Sequence, residues 1–154
     1  GMYYKRLDYS KNIGGRHPIA AYEFLGPNVA GKDMILIDDM ISSGDTILKI
    51  DSLLKDRGAG RIYLCSTFGL FTDNLKKFDE AHAAGVFDKL LTTNMVYQSE
   101  ELLAKPYYIS CDMSKYIALI IDTLNHDTSV NDIMNATKRI QELLEERSKN
   151  ISSK

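Results

Sequence analysis

Residues 35–46 (ILIDDMISSGDT) contain the side chains best suited to bind a ligand. The turn at 42–46 offers hydroxyls and backbone N–H groups where a helix begins, which suits a phosphate dianion through hydrogen bonds and the helix dipole. Asp38 and Asp39 would repel a phosphate in the same place, but they could accept hydrogen bonds from a sugar diol one group further out. The pattern therefore predicts a sugar-phosphate site. The alternative is an acidic strand end followed by a helix that Ser42 or Ser43 merely caps.

The elements on either side of this segment place it where ligands of open α/β sheets bind. Residues 34–37 form a continuous apolar run, which predicts a strand buried on both faces. Ile47, Ile50 and Leu54 recur at helical spacing, so residues 45–57 are predicted to be helical. The turn then lies at the carboxyl end of a parallel strand, which is the usual ligand position.

The rest of the chain alternates strands with helices. Strands are predicted at 61–67, 87–92 and 107–111. Helices are predicted at 75–82, from the residue after Asp112 through Leu124, and from Ser129 through Leu144. Residues 148–154 are predicted to form a frayed tail. Short connections such as 58–60 (GAG) fit right-handed crossovers. The order predicts a single α/β domain over residues 1–154, with a mostly parallel open sheet and flanking helices.

Residues 6–33 are rich in glycine and proline in their middle part and show no periodicity, so they are predicted to form a mobile loop or a β-excursion. Basic residues at its start and within it make it a candidate lid over an anion, and a disordered segment is the alternative. Residues 26–32 (GPNVAGK) fit the first seven positions of a phosphate-binding P-loop. Asp33 takes the eighth position and the segment precedes a strand, so we interpret the match as chance.

The composition excludes several classes of function. The 154 residues carry 19 basic and 21 acidic side chains, a formal net charge of −2, so no nucleic-acid partner is expected. No run of 18 apolar residues and no signal peptide occurs, which predicts a cytoplasmic protein with no membrane partner. Cys65 and Cys111 are predicted to be reduced thiols. His17, His82 and His126 lack the spacing of metal ligands.

A series of motifs in order along the chain carries a family resemblance. These are KRLDYS at 5–10, GRHP at 15–18, GKD at 31–33, IDDMISSGDT at 37–46, GA at 58–59, TFGLF at 67–71, TTN at 92–94 and DMS at 112–114. The turn resembles the phosphoribosyl pyrophosphate loop of type I phosphoribosyltransferase folds. The whole series, from about residue 3 to about residue 135, resembles the C-terminal half of ribose-phosphate pyrophosphokinase, which implies a phosphoribosyltransferase-like domain truncated at its N-terminus.

The resemblance implies a reaction and a role for each site residue. The family transfers the diphosphoryl group of ATP to the C1 hydroxyl of ribose 5-phosphate, with Mg²⁺, giving phosphoribosyl pyrophosphate. By position, Asp38 and Asp39 would bind the ribose 2- and 3-hydroxyls, and Lys5 would be the catalytic lysine that offsets phosphoryl charge. The 5-phosphate would lie in the turn formed by Ser42, Ser43, Gly44, Asp45 and Thr46. A solvated Lys5 with no catalytic role is the alternative.

The chain departs from the family pattern at three positions and in its length. Leu7 stands where the family usually has an arginine, Ser42 where many members have an acidic residue, and Phe68 where many have histidine. The N-terminal domain that supplies much of the ATP and magnesium site is not in this sequence, so we expect the isolated chain to be inactive. The metal ligands stay unidentified.

The function expected from the resemblance is that of the C-terminal domain of a ribose-phosphate diphosphokinase, with ribose 5-phosphate and ATP or AMP as ligands. Two alternatives are a non-catalytic ribose-phosphate or nucleotide-binding remnant, which would act as a regulatory subunit, and a phosphoribosyltransferase. An open sheet edge and an apolar helix face at 116–124 further predict a homo-oligomer.

Overall fold

A computed structural model describes residues 1–7, 10 and 19–152. The alternation of strands and helices predicted from the apolar periodicity is confirmed, with strand and helix ends shifted by no more than four residues except at the end of the last helix. The elements are β1 (Met2–Leu7), β2 (Ile19–Leu25), β3 (Met34–Ile41), α1 (Asp45–Asp56), β4 (Ile62–Gly69), α2 (Lys76–Ala83), β5 (Lys89–Thr93), α3 (Glu100–Leu103), β6 (Tyr108–Cys111), α4 (Ser114–Asn125), α5 (Asn131–Met134) and α6 (Ala136–Ser152).

The central sheet is four-stranded and parallel, in the order β3-β4-β5-β6. Each strand therefore pairs with the next strand along the chain, and the predicted parallel sheet with flanking helices is confirmed. β1 and β2 form a separate antiparallel pair, in which Tyr3 lies opposite Phe24. β2 occupies part of the segment predicted as a mobile loop, and residues 8, 9 and 11–18 of that segment lie outside the described residues.

The hydrophobic core lies on one face of the sheet. Because every crossover moves to the next strand in the same direction, right-handed connections place α1, α2 and α3 on the same side. Their buried residues Leu54, Phe78 and Leu102 join Leu64 of β4 and Leu90 of β5 in one cluster. The apolar periodicity of each helix is thus explained by a single shared core.

The expectation that β3 is buried on both faces is wrong. Met34 and Leu36 pack against the core, whereas Ile35 and Ile37 are 66% and 83% exposed. The physical reason is the sequential strand order, which puts all three crossover helices on the opposite face. The apolar run correctly predicted a strand but could not show how many of its faces are covered.

The chain divides into two compact units, Gly1–Cys111 and Asp112–Lys154, where the sequence predicts a single domain. In the second unit, Asp112 accepts a hydrogen bond from the N–H of Ser114 at the start of α4. The last helix, predicted to be continuous, is broken at Asn135, whose side chain accepts from the N–H of Thr137.

Helix α6 continues through Ser152, where a frayed tail is predicted from residue 148. None of the described helices is long and apolar enough to cross a membrane. One short helix, α3, was not predicted; Ser99 caps it by accepting a hydrogen bond from the N–H of Leu102 at 3.2 Å. A four-residue helix shows too little periodicity to be predicted from sequence.

Candidate functional site

The turn at 42–46 connects β3 to α1, and its backbone geometry depends on Gly44. This glycine has φ of 85° and is the N-cap residue of α1. Because glycine has no side chain to cap the helix, the N–H groups of the first turn of α1 are not satisfied from that position. The N-cap residue is Gly44 and neither Ser42 nor Ser43, although the Ser43 hydroxyl accepts a hydrogen bond from the N–H of Asp45 at 3.4 Å. A helix N-terminus of this kind suits an anion.

Helix α2 packs directly beneath this turn. Phe78 is fully buried, and a Cβ on residue 44 would overlap its ring. Gly44 is thus required twice, once for its left-handed φ and once for the close approach of Phe78. The aromatic ring holds the start of α1 at a fixed height above α2.

The loop between β4 and α2 supports the turn from the other side. Leu70 N–H donates to the Ile41 carbonyl at 2.8 Å, and Thr72 N–H donates to the Ser42 carbonyl at 3.2 Å. The Ser42 and Thr72 hydroxyls are 3.3 Å apart. Phe71, with φ of 48°, lies in the left-handed region, a strained conformation that is typical of functional sites.

Polar side chains also link the turn to α2. The Ser43 hydroxyl donates to one oxygen of the Asp45 carboxylate at 2.8 Å, and the Lys77 ammonium donates to the other at 2.7 Å. Lys77 also donates to Asp73 at 2.9 Å. The hydrogen bond from Lys77, with a second from Ser43, lowers the pKa of Asp45.

The two adjacent aspartates lie on β3, just before the turn. Asp38 is half-buried and accepts a hydrogen bond from the N–H of Asp39 at 2.9 Å, whereas Asp39 is exposed. Burial raises the pKa of Asp38, and the neighbouring Asp39 carboxyl raises it further. Two carboxyls in this arrangement can accept several hydrogen bonds from vicinal hydroxyls.

A cavity of about 170 Å³ brings Asp38 together with the turn. Its lining residues are Asp38, Met40, Ile41, Ser42, Ser43, Gly44, Asp45, Thr46 and Ile47. The structure describes the side chains of seven of the eight predicted site residues. Six of these seven line this cavity, and the seventh, Asp39, follows Asp38 in the chain. Lys5 is in β1, where its backbone is opposite Tyr22, and its side chain lies outside the described part of the structure.

A larger cavity of about 340 Å³ shares Asp38 with the smaller one. It lies between the β1–β2 pair and the β3–α1 unit, and its lining includes Tyr3, Met34, Leu36 and Leu54. This lining is mostly apolar. The smaller cavity, with hydroxyls and backbone N–H groups, is the one whose chemistry matches a phosphate.

The neighbouring strands β5 and β6 end in a polar network that the sequence did not predict. Thr92 is buried, and its hydroxyl shares a 2.6 Å hydrogen bond with the Tyr108 hydroxyl, to which Gln98 donates at 2.7 Å. Ser110 donates to the Gln98 amide oxygen at 2.7 Å. Thr92 and Tyr108 are buried, Gln98 is half-buried and Ser110 is exposed, so the network links β5 to β6 from the core to the surface.

No group of three or more histidine, cysteine, aspartate or glutamate side chains that could hold a metal occurs within residues 1–7, 10 and 19–152, as far as their side chains are described. The cysteines Cys65 and Cys111 are free and half-buried, and burial raises the pKa of Cys65. At the candidate site, Asp38 and Asp39 could contribute carboxylate oxygens to a Mg²⁺ ion that is held mainly by substrate phosphates and water.

Sequence reasoning missed three residues of the site: Thr72, Lys77 and Phe78. They follow the turn by about 30 residues, and their contacts to it depend on how α2 lies on the sheet. No motif or spacing connects them to the turn. Gly44 was included only as a member of the turn, and its packing against Phe78 emerged from the structure.

Comparisons with known proteins identify the family of the chain and agree with its fold. The family model for the phosphoribosyl synthetase-associated domain matches residues 18–135. The chain is 29% identical over 112 residues to the ribose-phosphate pyrophosphokinase of Vibrio parahaemolyticus, covering 70% of this chain and 33% of that protein. It is 31% identical over 108 residues to the ribose-phosphate pyrophosphokinase of Haemophilus influenzae, with the same coverage.

The fold is also similar to that of a solved structure. The phosphoribosylpyrophosphate synthetase from Mycobacterium smegmatis superimposes with a TM-score of 0.61 and 25% sequence identity, over 74% of this chain and 38% of that chain. The chain belongs to the phosphoribosyl synthetase-associated domain family. It spans about a third of the length of the ribose-phosphate pyrophosphokinases that it matches.

Proposed function

We propose that the chain binds ribose 5-phosphate, with the 5-phosphate in the 42–46 turn and the ribose 2- and 3-hydroxyls on Asp38 and Asp39. The observation that carries this proposal is the single cavity lined by both Asp38 and the turn. A phosphate at the start of α1 gains from the helix dipole and from first-turn N–H groups that Gly44 leaves uncapped. The carboxyls lie one group away, where a sugar ring would reach them.

We propose further that this binding serves diphosphoryl transfer in a ribose-phosphate diphosphokinase. The C1 hydroxyl oxygen attacks the β-phosphorus of ATP, the bond from that phosphorus to the oxygen bridging it to the α-phosphate breaks, AMP leaves with that oxygen, and the hydroxyl proton is released to solvent. The chain's own residues would hold the sugar so that C1 faces ATP, which is a positioning role. Mg²⁺, when bound, neutralises the phosphate oxygens of ATP.

Catalysis also needs positive charge at the transferring phosphoryl group, and Lys5 is the residue proposed to supply it. Leu7 stands where the family resemblance leads us to expect a second cation. This departure favours the second candidate, a ribose-phosphate-binding protein or regulatory subunit that lacks transfer activity of its own. The two candidates share the binding site and differ only in turnover.

Backbone amide NMR tests the proposed binding mode. On titration with ribose 5-phosphate, the largest chemical-shift changes should fall on the amides of Gly44 to Ile47, with smaller changes at Asp39. Inorganic phosphate should shift the turn but leave Asp39 nearly unmoved. Changes concentrated elsewhere, for example along the larger apolar cavity, would contradict the proposal.

An activity assay separates the two candidates when this chain is mixed with a separately expressed N-terminal domain of a ribose-phosphate pyrophosphokinase. Turnover in the mixture would support the diphosphokinase, and its absence would support the non-catalytic binding protein. Formation of AMP from ATP and ribose 5-phosphate, with Mg²⁺, should be near background for this chain alone. Turnover that Lys5→Ala abolishes would show instead that this chain carries a complete catalytic site.

A further inference from the structure

The 42–46 turn carries a negative charge of its own. Asp45 is the first residue of α1, and its side chain is 67% exposed. A sugar phosphate bound in the turn is a dianion near neutral pH and would lie within several ångströms of this carboxylate. The repulsion between the phosphate dianion and the Asp45 carboxylate at such a distance is large enough to weaken binding, even in water. A carboxylate at this position is therefore a cost that the site must offset.

Lys77 is placed to offset it. Its ammonium donates to Asp45 at 2.7 Å, and the Ser43 hydroxyl donates to the other oxygen of the same carboxylate at 2.8 Å. Hydrogen bonding to Asp45 and Asp73 raises the pKa of Lys77, while the pKa of Asp45 is lowered. Both groups are thus charged at neutral pH, and the turn's carboxylate is engaged on both oxygens.

We infer that Lys77 is a positioning residue that neutralises Asp45 and so allows the turn to accept a dianionic sugar phosphate. This inference rests on the proposed function and adds the residue that sets the strength of phosphate binding. Lys77 acts through Asp45 and not by contact with the ligand. The effect of Lys77 on binding should therefore be larger when residue 45 is negatively charged.

A double-mutant cycle tests this dependence directly. Ribose 5-phosphate affinity would be measured by calorimetry at low salt for the wild type, Lys77→Gln, Asp45→Asn and the double variant. Lys77→Gln should weaken binding about tenfold, because it uncovers one charge near a dianion. Asp45→Asn should bind at least as tightly as the wild type. In the Asp45→Asn background, Lys77→Gln should weaken binding by a clearly smaller factor, because no carboxylate at residue 45 is left for Lys77 to hold away from the phosphate.

Lys76→Gln is the matched control, because it also removes a positive charge from α2. Lys76 is next to Lys77 in the chain but pairs with Glu80. It should change the affinity by less than twofold. Raising the salt concentration should shrink the loss caused by Lys77→Gln, since exposed charges are screened. Thermal unfolding of each variant checks that the fold is kept.

The outcomes separate this inference from the proposed function. If the wild type binds ribose 5-phosphate and Lys77→Gln binds equally well, or loses the same factor in both backgrounds, the inference is overturned and the proposed function stands. If neither the wild type nor Asp45→Asn binds ribose 5-phosphate, the proposed function fails, and the inference fails with it.

Discussion

Two of the three aspartates of helix α1, six residues apart, lie in opposite environments. Asp45, at the N-terminal end, is exposed, is bonded to Ser43 and Lys77, and has a lowered pKa. Asp51, in the middle of the helix, is fully buried, and neither of its carboxyl oxygens has a hydrogen-bond partner among the described residues. Burial raises the pKa of Asp51 to about 8, although Lys55 lowers it in part.

This comparison shows that position in the fold, and not residue type, decides what a carboxyl contributes. At the end of α1 the charge is partnered and belongs to the candidate site. In the middle of α1 a carboxyl occupies the core-facing stripe beside Ile47 and Leu54, where a charge has no partner and is expensive. The first aspartate thus belongs to a charge-balanced surface cluster, and the second is expected to reduce stability.

Replacing Asp51 should have the largest effect on stability. Asp51→Asn should raise the free energy of unfolding by about 4 kcal/mol at pH 7, because wild-type folding must put a proton on a carboxyl that is ionised in the unfolded chain. Chemical denaturation at pH 7 measures this difference. Asp56→Asn, an exposed position on the same helix, is the matched control and should change stability little.

The effect of Asp51 should also depend on pH, with a definite sign. Between about pH 4 and about pH 8 the folded state holds one more proton at Asp51 than the unfolded state, so wild-type stability from this group falls as pH rises, by about 1.4 kcal/mol per unit. The advantage of Asp51→Asn should therefore grow from pH 5 to pH 8. An advantage that stays constant over that range would contradict a buried, protonated Asp51.

Gly44→Ala should have the next largest effect, of opposite sign. The substitution should destabilise the fold by about 3 kcal/mol, since alanine is strained at φ of 85° and its Cβ overlaps Phe78. Gly31→Ala is the control, because φ is 71° there but a Cβ would meet nothing within 4 Å. Equal losses from the two variants would show that Phe78 does not restrict the turn.

The sequence predicted the site where its residues are close together in the chain. The acidic pair, the turn and the start of α1 lie within nine residues, so the pattern alone located them next to a strand end. The contacts of Lys77 and Phe78 with the turn depend on how two crossover helices pack, which no local spacing records. The helical face of α1 was predicted from Ile47, Ile50 and Leu54. The same spacing places Asp51 on that face, but an aspartate was not expected in the core.

The parallel sheet was predicted for the same reason, because apolar runs and short connections are local signals. The exposed face of β3 was missed, since it follows from the order of all four strands. The β1–β2 pair was foreseen only as a loop or β-excursion, because its two strands are separated by residues without periodicity.

Asp45→Asn should have the smallest effect on stability. Both members of the Asp45–Lys77 pair are exposed, and exposed ion pairs contribute little to folding. The midpoint of thermal unfolding should stay within error of the wild type, in contrast to Asp51→Asn on the same helix. A large loss of stability would mean that the Asp45–Lys77 ion pair stabilises the fold and does not act only on ligand binding.

Calorimetry with ribose 5-phosphate tests the central claim most directly. The account predicts one binding site per chain and weaker binding of ribose or inorganic phosphate alone. Asp38→Asn should weaken the binding free energy of ribose 5-phosphate by about 1 to 3 kcal/mol, because a hydrogen bond from the sugar to the carboxylate is lost. Asp56→Asn should bind as the wild type does. The account is contradicted if millimolar ribose 5-phosphate gives no binding, or if Asp38→Asn binds it as tightly as the wild type.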